Sequence, residues 1–519
     1  MKVALRTDAS SRIGTGHLMR CLTLADALRA AGAHTRFVCR PLPQGLDQAV
    51  RARGHELVVL PAGLDPVETG ARSAVGADPV SAQCADPPHA AWLGATQEDD
   101  ARATLAALAG DGAWHWLVVD HYALDVRWEA PLRAQARRIL AIDDLADRRH
   151  DCDALLDQNL YAGMQARYDG RVPRDCVRLL GPRHALLRPE FAAARDRLRP
   201  RGEAVRRLLV FFGGIDVRNL TGVALDALDA IDGEFGVDVV IGAAHPQRDA
   251  LLARCAARAR TTCHVQAANM AELIAAADVG VGAAGVATWE RCALGLPALA
   301  VAVAANQQAL LRDAAGAGLV LGPDIDADDA PALALHLRAL IGNGALRAHM
   351  ARVGLAAVDA HGADRVARLM LQPEVEVRPA TGADARDLFD WRNAPEVRRV
   401  SRNDAPIAWD DHQRWLAATL ADPQRVLLVG SADSLPVGVV RYDLAGDSAE
   451  VSIYLAPGQA GRGVGRALLG AAERWLAACH PGIATVFAEV LAGNAVSQGL
   501  FTGCGFEAVS SRYRKRMPS

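Results

Sequence analysis

Short runs of aliphatic and β-branched residues, separated by glycine turns and amphipathic stretches, recur along the first 370 residues and constrain the fold more than any other feature. KVALRT (2–7), HTRFVC (34–39), ELVVL (56–60), WLVVD (116–120), RILAID (138–143) and DALLD (153–157) read as strands. Between the first two lies HLMRCLTLADALRAAG. There Leu18, Cys21, Leu22, Ala25 and Leu28 share one helical face, and Gly32 stands where a C-cap is expected. This is the rhythm of a parallel α/β sheet. Residues 62 to 90, rich in Gly, Pro and Asp, interrupt it and are expected to form a long surface loop. The pattern then restarts with RRLLVFFGG (206–214), VDVVIG (237–242), TTCHVQ (261–266), DVGVGAAG (278–285) and PALAVAVA (297–304), with helices such as MAELIAAA between them. Two successive halves of similar size predict two Rossmann-like domains, residues 1–190 and 191–370. Ligands in such sheets sit at the carboxyl ends of the strands, here facing the cleft between the halves.

At 519 residues the chain has room for about three domains. Its character changes near residue 370, where VARLMLQPEVEVRPA ends a helix, passes Pro373 and enters a new strand. Residues 374–519 are therefore expected to form a third domain. Apolar residues make up 51% and charged residues 23%, a globular composition, and the net charge of −3 argues against nucleic acid or an acidic membrane as partner. Arg6 and Asp8 interrupt the apolar core that a signal peptide needs. No charge-free apolar run reaches spanning length, so a cytoplasmic location is expected. Ten scattered cysteines without CxxC spacing point to small buried residues, not to a zinc knuckle or a disulfide framework.

Each half offers a glycine turn after a strand, IGTGH (Gly14, Gly16) and FFGGIDVRN (Gly213, Gly214, Asp216, Asn219). Backbone N–H groups at such turns, with the helix dipole behind them, suit a nucleotide diphosphate. His17 opens the helix after the first turn. It is either a packing or capping residue, or a general base aimed at a bound water.

The run RTDASSRIGTGHLMRC resembles the N-terminus of the UDP-sugar hydrolases of pseudaminic acid biosynthesis (the PseG family), relatives of the MurG-type glycosyltransferases with a two-domain GT-B fold. WLGATQEDDA (92–101), VVDHYALD (118–125), AIDDLADRRHDCDALLDQN (141–159), GPRHALLRPEF (181–191), FFGGIDVRNLT (211–221) and ATWERCALGLPAL (287–299) extend the resemblance in order. It implies hydrolysis of UDP-2,4-diacetamido-2,4,6-trideoxy-β-L-altropyranose to UDP and free sugar, with His17 as general base toward water. It also implies substrate contacts from Arg6, Gly14, Gly16, Tyr122, Gly213, Gly214, Asp216, Glu290, Asn306 and Gln307. Glu290 resembles the GT-B glutamate that takes the ribose hydroxyls. Tyr122 and its neighbour His121 have packing or substrate orientation as alternatives. No metal is expected: Asp143–Asp144 is the nearest acidic pair, and a role in the fold suits it. Ala284, Val286 and Ala287 replace a glycine and hydroxyls that relatives often carry in the loop before Glu290.

In the third domain, VSIYLAPGQAGRGVGRALLGAAERWL (451–476) is a strand, a loop with alternate glycines and a helix. With NAVSQGLFTGCGFE (494–507) it resembles the GCN5-related N-acetyltransferases (GNAT). The resemblance implies acetyl-CoA as cosubstrate, held by Gly461, Arg462, Gly463, Val464, Gly465 and Asn494. Ala460 stands where an Arg or Gln is usual, and Phe501 where many relatives carry the tyrosine that protonates the departing thiolate. Tyr442, Tyr454 and Tyr513 remain as candidates for that task. WRNAPEVRRVSRNDAPIAWDDHQRWL (391–416) is similar to the pseudaminic-pathway acetyltransferases (PseH) that modify the 4-amino group of the UDP-sugar. Trp391, Arg392, Asn393 and His412 are then expected near the acceptor. Glu450 is either a proton acceptor acting through water or a surface residue. The expected whole is an α/β bifunctional enzyme, with two Rossmann-like domains (GT-B) followed by a GNAT domain. Its alternatives are a MurG-like glycosyltransferase fused to an acetyltransferase, or a nucleotide-sugar binding module.

Overall fold

The computed structural model describes residues 1–10, 12–43, 45–62, 86–401, 403–432, 434–461, 463–491 and 493–509. Most of the expected loop at 62–90 lies outside them, as do Arg462, Tyr513 and Cys84. The chain divides into two compact units, Met1–Met370 and Leu371–Ser519.

The first unit contains two parallel sheets. β1 (Lys2–Thr7), β2 (His34–Cys39), β3 (Glu56–Val59), β4 (Trp114–Asp120), β5 (Ala136–Ile142), β6 (Ala154–Asp157) and β7 (Val177–Leu180) take the order β3-β2-β1-β4-β5-β6-β7. β8 (Arg207–Phe211), β9 (Gly236–Ile241), β10 (Thr261–Val265), β11 (Val279–Ala283) and β12 (Ala298–Val301) take the order β10-β9-β8-β11-β12. All of these pairs are parallel. Such strands are covered on both faces, which is why they read as nearly unbroken apolar runs. Strand order reverses at β1/β4 and again at β8/β11, and the crevices that bind ligands open at such points.

The helix Gly16–Ala30 buries the expected residues Leu18, Cys21, Leu22, Ala25 and Leu28, and Gly32 takes a left-handed φ of 87° just beyond its end. His17, Arg20 and Thr23 are buried as well. The stripe is wider than the sequence predicts: the helix Gly362–Met370 packs on the same helix, and His17 and Arg20 turn toward Asp120 at the end of β4. The last carbonyl of Gly362–Met370 accepts the indole N–H of Trp116 on β4. The helix Pro189–Asp196, which contains position 190, sends Phe191 into the core beneath the second sheet. Six described cysteines are buried as expected; Cys263 and Cys504 are half-buried and Cys479 is exposed.

The second unit is one five-stranded sheet, β13 (Glu376–Pro379), β14 (Arg425–Ala432), β15 (Leu435–Ala445), β16 (Ser448–Leu455) and β17 (Thr485–Ala488), in sequential order. Its pairs are antiparallel except β16–β17. The helix Val464–Cys479 covers one face; Ala385–Asn393 and Trp409–Ala421 cover the other. Among the described residues, no helix is long and apolar enough to cross a membrane.

Candidate active sites

Thr7 at the end of β1 pairs in register with Asp120 at the end of β4, so the helix that follows β1 starts beside the Asp120 carboxylate. His17 Nδ1 lies 2.5 Å from Asp120 Oδ1. Arg20, one turn further along the same helix, grips both oxygens of that carboxylate from Nε and Nη2 at 2.6 Å. Burial opposes ionisation of Asp120, but Arg20 and His17 outweigh it and hold the carboxyl far below its usual range. With Nδ1 engaged, Nε2 is the ring nitrogen left for a ligand or a water. The Tyr122 ring meets His17 edge-on at 4.6 Å, and its hydroxyl donates to Asp144 at 2.7 Å. His89 and Trp92 stand beside Tyr122, completing an aromatic wall next to the imidazole.

Arg20 and Asp120 are absent from the sequence reading, although a signal for Asp120 was present: WLVVD, RILAID and DALLD each end on an aspartate, and β4, β5 and β6 are neighbours. The acidic pair at 143–144 divides by function of place. Asp143 is fully buried against Arg148 and His150, consistent with a role in the fold. Asp144 turns the other way, toward Arg20, Tyr122 and Asn159. The third aspartate, Asp157, is buried, and that burial together with the nearby Asp144 charge raises its carboxyl to about 7. The folded chain then holds this proton to a higher pH than the unfolded chain does. Stability is therefore lost as pH rises from about 4 to 7, by at most about 1.4 kcal/mol per unit. Asp157→Asn is expected to remove this slope, so that its melting temperature gains on the wild type between pH 5 and pH 8 in parallel thermal scans.

Other expected contacts fare unevenly. Arg6 is a correction: it is fully buried, pairing with Asp8 at 2.7 Å and Asp100 at 2.8 Å, and a guanidinium so enclosed reaches no ligand. Gly14 (φ 78°) and the exposed Gly16 border the His17 turn, and no other group lies within 4 Å of where their side chains would be. His121 is buried, and that burial drives its imidazole down to about 3, so it packs as a neutral ring. After β8, Gly213 takes a φ of 106° and Gly214 is exposed. The Asp216 carboxylate accepts the N–H groups of Leu220 and Thr221 and so caps the following helix.

Glu290, in the first turn of the helix Ala287–Ala293 after β11, is mostly buried; burial raises its carboxyl and Arg188 lies 3.6 Å away. Gln307 accepts the N–H of Val303 at 3.0 Å and lies close to Gly285 in the loop before Glu290. Asn306 is exposed at the start of the same helix as Gln307. The two halves are tied by Trp289, whose indole donates to Asn159 at 3.0 Å. Among the described residues, no group of three or more His, Cys, Asp or Glu side chains could hold a metal ion.

In the second unit, Gly461 and Gly463 take left-handed φ values of 80° and 77°, and Gly463 caps the sixteen-residue helix Val464–Cys479. An added side chain is strained at both positions, and the turn leaves helix N–H groups facing outward. Val464 sends its side chain into the core and can offer only its backbone. Gly465 sits in the first turn of that helix, and Asn494 caps the helix Ala495–Gly503 through Ser497 N–H at 3.0 Å. His412 is buried among Phe389, Trp409 and Trp415, with Nε2 3.0 Å from the Ala385 carbonyl. Asn393 is likewise occupied by Ile407 in both directions. Trp391 and Arg392 are half-buried, and Glu450 is exposed on β16 opposite Asp443.

Residues 374–507 match the acetyltransferase (GNAT) domain family. The whole chain is similar to the uncharacterized protein MJ1062 of Methanocaldococcus jannaschii, 21% identical over 98% of this chain and 97% of that protein. The UDP-2,4-diacetamido-2,4,6-trideoxy-beta-L-altropyranose hydrolase of Campylobacter jejuni is 27% identical across 43% of this chain, a match that spans 63% of the hydrolase's own length. Among solved structures, Acinetobacter baumannii MurG is similar across 71% of this chain and 99% of its own, at a TM-score of 0.45 and 16% identity.

Proposed function

We propose, for a chain in which a hydrolase-related unit of two Rossmann-like sheets precedes a GNAT acetyltransferase domain, two consecutive reactions on one nucleotide sugar. The C-terminal unit acetylates the 4-amino group of a UDP-linked amino sugar, and the N-terminal unit hydrolyses the UDP-2,4-diacetamido-2,4,6-trideoxy product to UDP and free sugar.

The single observation that carries the hydrolytic half is the His17–Asp120 contact. Asp120 accepts the Nδ1 proton and sets the tautomer in which Nε2 carries a lone pair. Nε2 then removes a proton from water as its oxygen bonds to the anomeric carbon and the carbon–oxygen bond to UDP breaks. UDP is already a good leaving group, so the protein's remaining task is to position it and neutralise its charge. Backbone N–H groups at the Gly14–Gly16 and Gly213–Gly214 turns are assigned that task, with Glu290 on the ribose and Gln307 and Asn306 at the uridine or sugar. Tyr122 holds the sugar against His17. In the second unit, acetyl-CoA supplies an activated acyl group; the Gly461–Gly465 turn and Asn494 hold its pyrophosphate end.

The test supplies the UDP-4-amino-sugar and acetyl-CoA in oxygen-18 water. CoA release that depends on the amino-sugar, followed by UDP release and label on the free sugar, is the expected result. Label on UDP would remove His17 from the assigned role, and UDP release only on addition of an acceptor sugar would favour a glycosyltransferase.

Gly242, in the turn after β9, bears on the same site. A Cβ there would lie 1.9 Å from the Gly214 carbonyl oxygen, so the second glycine turn depends on its absence. Gly242→Ala is expected to displace that turn and lower kcat/KM for the nucleotide sugar by up to about 10²-fold, a loss that roughly 1 Å of misplacement is able to cause. Steady-state UDP release on a folded variant reads it.

A further inference from the structure

Acetyl transfer leaves a thiolate that must gain a proton, and Phe501 occupies the position where the GNAT resemblance places a tyrosine for that purpose. The two described tyrosine candidates fall on opposite faces of the third sheet. Tyr442, on β15, is fully buried beneath the helix Val464–Cys479, and its hydroxyl has no hydrogen-bond partner. It is closed off from any substrate. Tyr454, on β16, packs on the other face beside Trp391 and Trp415. Arg392 and Arg441 lie close enough to act on its charge.

The strand itself supplies a second observation. β16 is in parallel register with β17 only from Ser448 to Val451, and among the described residues no strand pairs with that side of 452–455. An unpaired strand edge of this kind accepts an extended, amide-bearing ligand. The stretch leads directly into the Gly461–Gly463 turn, so an extended chain anchored there by its pyrophosphate can lie along it. Tyr454 stands on this stretch, on the face that also carries Trp391 and Arg441.

We propose that Tyr454 is the proton donor to the departing coenzyme A thiolate. The assignment rests on the reading of this unit as an acetyltransferase. As the amine nitrogen forms its bond to the acyl carbon, the carbon–sulfur bond breaks with its electron pair on sulfur, and Tyr454 gives its hydroxyl proton to that sulfur. The phenolate regains a proton from the nitrogen through solvent, so that the net transfer is one proton from nitrogen to sulfur. Burial raises the phenol above its ordinary value and keeps it protonated, while the two guanidinium groups act in the opposite direction and ease formation of the transient phenolate.

The test measures binding of CoA and desulfo-CoA to the full chain by calorimetry, for wild type, Tyr454→Phe and Tyr442→Phe, together with acetyl-transfer kinetics. Tyr454→Phe is expected to bind CoA about 3- to 10-fold more weakly, the worth of one hydrogen bond. Desulfo-CoA, which has no sulfur, should bind wild type and variant alike. The kcat should fall by about 10²-fold with little change in KM for acetyl-CoA. Tyr442→Phe should match wild type in every measurement. Equal CoA binding and kcat in Tyr454→Phe and wild type would overturn the assignment, as would equal weakening of both ligands, which is packing and not a contact to sulfur. A wild-type chain that binds neither ligand would overturn the acetyltransferase reading itself, and this assignment with it.

Discussion

Asp120→Asn is expected to cut UDP release by about 10²- to 10⁴-fold, the range of a lost general base. An amide can sit at this position in two ways. If its NH2 group takes the place of Oδ1, it donates to His17 Nδ1, moves the ring proton to Nε2 and abolishes the base. If it takes the place of Oδ2, it faces the Nε–H of Arg20, which bonds that oxygen at 2.6 Å in the native chain. Either way the charge that pairs with Arg20 is gone. His17→Ala and the double variant should lose about as much as Asp120→Asn, because residues acting as one unit are not additive. A continuous assay of UDP release from the 2,4-diacetamido sugar decides the matter. Activity within a few-fold of wild type in folded Asp120→Asn would end the case for His17 as the base.

Asp100→Ala is expected to cost about 3–5 kcal/mol of stability, the penalty for stranding buried charge. Asp100 is fully buried and accepts two bonds from Arg6, one from Arg40 and the indole N–H of Trp128. Removing it leaves Arg6 with Asp8 as its carboxylate partner and the Trp128 N–H without the acceptor it has in the core. Denaturant titration of the variant should show a lower midpoint, with loss of native tryptophan fluorescence at correspondingly lower denaturant. A midpoint unchanged from wild type would mean that Arg6 is not the buried structural cation described above. That outcome would reopen its place as a ligand contact.

Much of this protein is legible in the residues alone, for reasons that can be named. The strand runs at 2–7, 34–39, 116–120 and 237–242 stand out because both faces of a parallel sheet must be covered, which makes most of their positions apolar. Gly32 and Gly463 are readable because a left-handed turn at a helix end leaves little choice of residue. The place of Asp216 after a glycine turn is legible, but its hold on the first N–H groups of the next helix is seen only in the fold. The burial of Arg6 could not be read locally, because one of its partners, Asp100, lies 94 residues away. The burial of His412 is likewise set by how its helix packs and not by its neighbours in sequence.

Periodicity, turn chemistry and composition are local, so they specify which segments become strands and helices, and here they also place two glycine turns and a histidine at the right ends of their strands. Which carboxylate meets that histidine is not a local quantity. His17 and Asp120 are separated by 103 positions and touch because β1 lies next to β4, a choice of neighbour made by the burial of whole sheet faces. Charge pairing, exposure and the sorting of Tyr442 from Tyr454 all follow from that packing, since the energy of a buried group depends on what surrounds it and not on what precedes it in the chain.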